Sequence, residues 1–328
     1  MPQTIAFPSA THRLPDGRAL AYSSVGPAHA PDVLVCLPGL LETRQTFEPV
    51  LHAAQPQAAQ ERAQQVPAAL HVVSLDHCGR GDSDPLPDDQ GYTMARYLDD
   101  VTHLIDHLCA QGARRVHVLG TSMGGILGMY LAANRALPVR TLMLNDVGLS
   151  FHWVSIYGLY DGMKKGMRAQ TPEEIAVELN VTLGAMLAVQ SPTHFDLPYR
   201  RDWKGMKFGH LLDHYSGGLR LVHGTDSGVC LAEQVREIQQ RFTYARVLSV
   251  TGAKHPAPFN PQVCEFLLAD LAQPIEQPTI TPQAVEVQEV SPSLTPSSPP
   301  KTPEADSPSG WLAWIKHKLN RKLKGERT

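Results

Sequence analysis

The chain has 328 residues, a formal net charge of −3, 42% hydrophobic residues and 19% charged ones. That length holds one large α/β domain or two smaller ones, and so balanced a charge excludes the strongly basic surface of a nucleic-acid binder. Five cysteines, an odd number without paired spacing, argue against a disulfide framework or a metal site and for reduced thiols in a cytoplasm.

The first residues, Met1 to Pro8, have neither a basic start nor an apolar core, so no secretory signal is expected. No apolar run is long enough to span a bilayer. Residues 12–24 read as a hairpin around Pro15-Asp16-Gly17, and Asp32 to Leu37 as a buried strand that runs into Pro38-Gly39-Leu40. Residues 53–69, rich in Gln and Ala, suggest a polar surface helix. Leu70 to Leu75 is the next buried strand, followed by Asp76 and the loop Cys78-Gly79-Arg80-Gly81-Asp82-Ser83-Asp84. Cys78 in that loop reads as a small filler residue. Tyr97, Val101, Leu104, Ile105 and Leu108 recur at helical spacing within 92–110. A strand at Val116–Gly120, a small-residue helix after it, and a strand at Thr141–Leu144 ending in Asn145-Asp146 come next. The alternation breaks over 147–218, where Thr171-Pro172-Glu173-Glu174 offers a capped helix start. It resumes with strand Leu219–Val222, helix Leu231–Arg241, strand Arg246–Val250 and helix Pro261–Leu271. Short buried strands alternating with helices imply a mostly parallel sheet covered on both faces. Residues 1–146 and 219–272 then form the core, and 147–218 a helical cap over the crevice at the carboxyl ends of the strands.

The chemistry centres on Gly120-Thr121-Ser122-Met123-Gly124-Gly125. A strand entering Gly-x-Ser-x-Gly and a helix leaving it raise the serine on a sharp turn. A serine hydroxyl attacks poorly until a histidine takes its proton, and the resulting imidazolium needs an oriented carboxylate. His255, in the loop after the last strand, is the candidate base. The oxyanion donors are expected to be the backbone N–H groups of Met123 and Leu40.

These motifs, with Leu37-Pro38-Gly39-Leu40, Asp76 and its glycine loop, and Leu144-Asn145-Asp146-Val147-Gly148, resemble the α/β-hydrolase superfamily. The likeness is to its cap-bearing bacterial branch, near the meta-cleavage-product hydrolases and small esterases, and covers roughly residues 12–271. It implies an α/β-hydrolase fold, with the cap inserted after strand 141–146, and a serine hydrolase of carboxylic esters or related acyl compounds without cofactor or metal. One departure stands out. The branch usually carries its acid after the penultimate strand, where this chain has His223-Gly224-Thr225-Asp226-Ser227-Gly228 and Gly228 occupies the usual aspartate position. Asp226 is the first candidate for the acid, and Asp146 the alternative. Acyl transfer or carbon–carbon bond hydrolysis on the same elbow, or a catalytically silent membrane-tethered binding protein, are the competing readings.

In the cap, Trp153, Tyr157, Tyr160 and Met163, with Met167, Met186 and Leu187, suggest an apolar pocket for a small acyl substrate or the cap's own core. Residues 273–310 are rich in Pro, Ser and Thr and read as a disordered linker. In the C-terminal segment 311–328, Leu312, Ile315, Leu319 and Leu323 share a helical face beside Trp311 and Trp314, with Lys316, Lys318, Arg321, Lys322 and Lys324 supplying positive charge. Such a basic amphipathic segment suits the surface of an anionic membrane through 311–324, with a dock onto a partner protein or a solvated end as the alternatives. The expected location is cytoplasmic, peripheral at the inner membrane face.

Overall fold

The computed structural model describes residues 7–55, 69–87, 91–152, 170–189 and 205–271. The predicted hairpin forms from β1 (Ser9–Arg13) and β2 (Ala19–Val25), with Gly17 in the turn at φ 90°. Strands β3 (Asp32–Leu37) and β4 (Leu70–Leu75) are buried along their whole length. β5 (Arg115–Thr121), β6 (Val139–Asn145), β9 (Gly218–Gly224) and β10 (Arg246–Val250) complete an eight-stranded sheet in the order β1-β2-β4-β3-β5-β6-β9-β10. From β4 to β10 every neighbouring pair is parallel, and only β2 runs against the rest. The mostly parallel α/β architecture read from the sequence is therefore the one observed.

Alternation along β3 shows why both faces are covered. Val33, Val35 and Leu37 join a core with α2 (Met94–Ala110) and α3 (Met123–Ala133), while Leu34 and Cys36 join a second core with α1 (Glu48–Ala53) and α7 (Pro261–Leu268). Successive strand residues point to opposite faces, so a strand apolar at every position needs a helix layer on each side. Tyr97, Val101, Leu104, Ile105 and Leu108 do form the buried stripe of α2. The predicted helix over 53–69 is not seen in the part described: α1 ends at Ala53, and 56–68 lie outside the described residues.

The insertion between β6 and β9 begins and ends inside the core. A short antiparallel pair, β7 (Ser150–His152) with β8 (Gly205–Lys207), closes its base. Val147, Leu149, Phe151, Met206, Phe208 and Leu212 pack into the same core as α2 and α3. The helical insertion expected over 147–218 thus has a pair of short strands at its base, which the sequence reading did not include. The signal was weak because three-residue strands carry almost no periodicity. Further out, the capping box predicted at Thr171 starts α4 (Pro172–Leu179): Glu174 N–H donates to Thr171 Oγ1 at 3.2 Å, and Thr171 N–H donates to Glu174 Oε2 at 2.8 Å. α5 (Leu183–Ala188) follows. Trp153, Tyr157, Tyr160, Met163 and Met167 lie outside the described residues; Met186 is buried against α4 and Leu187 is exposed.

The crossing of β5 and α3 leaves no room for side chains. A Cβ on Gly120 would lie 2.2 Å from the Gly124 carbonyl carbon, and one on Gly124 would lie 2.1 Å from the Leu37 carbonyl oxygen. At Gly228 a Cβ would meet nothing within 4 Å. Gly124→Ala should therefore lower unfolding free energy by about 3 kcal/mol, and Gly228→Ala should stay within about 0.5 kcal/mol of the parent. Urea unfolding of the two variants checks the contrast.

Candidate active site

Ser122 stands between the last residue of β5 and the first of α3 with φ 51° and ψ −114°. A non-glycine residue at positive φ costs of order 1–3 kcal/mol and persists only where its surroundings enforce it. Here the enforcement is visible. Ser122 N–H donates to Asn145 O on β6 at 3.1 Å, and Ser122 O accepts from Gly125 N–H at 2.9 Å. The close glycine crossing then holds the helix start in place.

His255 lies in the loop after β10 and is 6% exposed. Its Nδ1 is 2.8 Å from Asp146 Oδ2. Asp146 is fully buried, with its other oxygen accepting from Gly224 N–H at 3.0 Å. Its own N–H donates to Val222 O at 2.8 Å, and its φ is 58°. Of the two candidate acids, the alternative is the one that faces the histidine.

Asp226, the first candidate, does not. Its N–H donates to Ala253 O at 2.9 Å, its Oδ1 accepts from the Thr225 hydroxyl at 3.2 Å, and the residue is exposed. Tying the backbone to residue 253 turns the side chain out to solvent. The sequence context agrees with this placement without deciding it. Asp146 closes the unbroken buried run Leu142-Met143-Leu144-Asn145, where a carboxylate is enclosed and must find donors. Asp226 sits among Thr, Ser and Gly, a composition typical of an exposed turn.

Sequence reasoning missed Asn145. This fully buried amide donates from Nδ2 to Thr121 Oγ1 at 3.3 Å and to Ala257 O at 3.1 Å. It fastens the loop that carries His255 to the strand that carries Ser122. Nothing in the residue type alone distinguished it from an ordinary strand end.

The candidate oxyanion donors also occupy fitting places. Met123 opens α3, where an N–H has no acceptor within the helix. Leu40 lies just past the Leu37-Pro38 backbone against which Gly124 is pressed. Glu42 holds this loop: its Oε2 accepts from Gly39 N–H at 2.8 Å, and its own N–H donates to Gly39 O at 3.2 Å. Buried Arg80 donates from Nε to Leu40 O at 3.0 Å.

Cys78 is buried, and burial, followed by the nearby Asp100 charge, pushes its thiol up to about 12. It is inert filler, as the sequence suggested. Burial likewise raises the Asp76 carboxyl despite hydrogen bonds and charge from Arg44, which also pairs with Asp82. This ion cluster braces the glycine loop. Among the described residues no group of three His, Cys, Asp or Glu side chains is arranged to hold a metal ion, and no helix is long and apolar enough to cross a membrane.

A hydrolase site on an α/β scaffold is thus the class that fold and geometry define. Residues 32–172 match the family model described as alpha/beta hydrolase fold. The chain is 37% identical over 287 residues to the 3-hydroxybutyrate-oligomer hydrolase of Cupriavidus necator, an alignment covering 77% of this chain and 90% of that protein. It belongs to the α/β-hydrolase family and is an enzyme. Among solved structures, an α/β hydrolase from Novosphingobium aromaticivorans superposes with a TM-score of 0.55 at 22% identity, covering 80% of this chain and 98% of that one. The enol-lactonase from Burkholderia xenovorans gives 0.51 at 20% identity, covering 74% and 91%. At these identities the two structures speak for the fold.

Exchange of each acid for its amide separates the two candidates. Asp146→Asn should cost about three to four orders of magnitude in hydrolytic turnover, the size expected when a triad histidine loses its orienting carboxylate. Asp226→Asn should leave turnover within about two-fold. Steady-state assays on the folded variants give the answer.

Proposed function

We infer that this hydrolase cleaves carboxylic esters through an acyl-enzyme on Ser122. The observation that carries this reading is the buried His255–Asp146 pair at 2.8 Å, past the same carboxyl ends of the parallel strands as the Ser122 elbow. A carboxylate on Nδ1 fixes the proton there and leaves Nε2 as the free base. In the mechanism, Ser122 Oγ attacks the ester carbonyl carbon and His255 Nε2 takes its proton. Asp146 stabilises the imidazolium, while Leu40 and Met123 N–H groups stabilise the oxyanion. Collapse breaks the bond to the alcohol oxygen, and His255 returns the proton to that leaving group. Water, deprotonated by His255, then attacks the acyl carbon, and Ser122 leaves with the proton restored.

For the substrate, we propose short oligoesters of hydroxy acids. Support comes from the 37% identity to an enzyme named for 3-hydroxybutyrate oligomers, over 90% of its length. Such a chain presents an ester carbonyl and a secondary alcohol leaving group, both served by the steps above. The competing acyl-transfer and carbon–carbon cleavage readings lack a comparable observation.

Incubation with 3-hydroxybutyrate dimer and trimer should release the free hydroxy acid, two molecules from each dimer and three from each trimer on complete cleavage. Ser122→Ala should reduce that release by at least about 10³-fold. A fluorophosphonate probe should label Ser122 in the parent and nothing at that site in the alanine variant. A folded parent that hydrolyses no ester and takes up no probe would sink this reading and favour the silent binding protein.

We propose further that residues 311–324, which lie outside the described residues, dock the enzyme on anionic membrane surfaces. Two tryptophans and an apolar face supply burial, and five basic residues supply attraction to anionic headgroups. In flotation with phosphatidylglycerol-containing liposomes, the full chain should rise with the vesicles at low salt, and a chain truncated at Gln273 should remain below. Equal behaviour of the two would refute the membrane contact.

A further inference from the structure

Arg80 is buried to 0% exposure, yet the reaction steps above give it no part. The three hydrogen bonds of its guanidinium go to neutral oxygens: Nε to Leu40 O at 3.0 Å, Nη1 to Cys78 O at 3.0 Å and Nη2 to Tyr97 Oη at 3.1 Å. Its carbon Cζ lies 4.8 Å from the centre of the Tyr97 ring. Burying a guanidinium is costly unless every donor is used and the charge is compensated. Here one of the three bonds, that from Nε, goes to the very loop that carries a candidate oxyanion donor.

The Leu40 N–H lies in the peptide plane that contains Gly39 O, and that plane keeps its aim only if the next plane, which contains Leu40 O, is also held on the far side of the Leu40 Cα. The plane before it is pinned at Gly39 O by Glu42 N–H, and the plane after it is pinned at Leu40 O by Arg80 Nε. Glu42 Oε2 adds a hold on Gly39 N–H. With either pin removed, the Leu40 amide is free to rotate away from the position that the oxyanion will occupy. We propose that Arg80 is a positioning residue for the oxyanion hole, acting through the Leu40 carbonyl, and that Glu42 is its counterpart on the other side.

The same residue joins this hole to the inserted segment. Arg80 forms an antiparallel bridge with Val181, Gly81 N–H donates to Asn180 O at 2.8 Å, and Thr182 N–H donates to Gly79 O at 2.7 Å. Leu41, next to the pinned amide, packs with Ile175, Ala176, Val181 and Met186 of the insertion. Seating of the insertion and aim of the amide are thus held through one loop. The inference rests on the acyl-enzyme reading, because an oxyanion hole matters only if an oxyanion forms.

The test compares the parent with Arg80→Gln by circular dichroism, ester kinetics and the rate of fluorophosphonate labelling. The phosphoryl oxygen of that probe occupies the place of the substrate oxyanion. Removing an oxyanion donor outright costs about 10²–10³ in kcat, so loosening one should lower kcat and the labelling rate by about ten- to a hundred-fold, with KM within about two-fold. Where Arg80→Gln does not fold, Tyr97→Phe takes its place. It keeps the ring beneath the guanidinium, removes the acceptor of Nη2, and should lower both rates several-fold at unchanged KM. A folded Arg80→Gln with parental kcat and labelling rate overturns the proposal alone, as do parental rates in Tyr97→Phe where that variant stands in. A parent that takes no label overturns the acyl-enzyme reading, and the proposal with it. A loss confined to KM would mark Arg80 as part of substrate binding and would also refute the positioning role.

Discussion

A carboxylate with no exposed surface sits at the end of β6, and the arrangement around it follows from the need to answer its charge. Asp146 has two oxygens; one takes Gly224 N–H and the other faces His255 Nδ1. Neither donor is optional, since an ionised carboxylate left unpaired in the interior would cost several kcal/mol. The demand fixes the end of β9, which must offer its amide, and the loop after β10, which must bring its imidazole inward. Asn145 secures that loop through Ala257 O. One buried charge therefore sets the relative positions of three strand ends.

The elbow is crowded for a related reason. Ser122 must stand clear of the sheet on a backbone turned to positive φ, and that turn survives only if strand and helix almost touch. Gly120 and Gly124 permit the approach, and the Leu37 carbonyl beneath Gly124 brings the oxyanion loop to the helix start. Ser122 and the candidate oxyanion donors are thus placed by one steric requirement, and His255 and Asp146 by one electrostatic requirement. The hydrogen bond from Ser122 N–H to Asn145 O joins the two halves.

Much of this was legible in the residues. Buried runs such as Asp32–Leu37 and Leu70–Leu75 announced the sheet because a strand enclosed on both faces must be largely apolar. The elbow announced itself because its steric demand is local and glycine is its only solution. What lay beyond the sequence was non-local. Asp146 and Asp226 both follow predicted strands, and choosing between them required knowing which loop bends inward. The roles of Asn145, Arg80 and Glu42 depend on contacts with carbonyl groups, which leave no trace in residue identity because every residue has one. The β7–β8 pair was too short to register as a period.

The position of the acid has a consequence for the loop after β9. With the carboxylate on β6, immediately beside β5, nucleophile and acid are fixed by adjacent strands: Ser122 bonds the carbonyl of the residue that precedes Asp146. The β9 loop then needs to supply only one backbone amide, that of Gly224. Constraint falls on that residue, whose Cβ would lie 2.6 Å from Ala253 O. Beyond it constraint lapses. Asp226 turns to solvent, and Gly228 has open space where a side chain would fit. On the proposed mechanism, the glycine at the family's usual acid position leaves the site complete, because the neighbouring strand end supplies the carboxylate that faces His255.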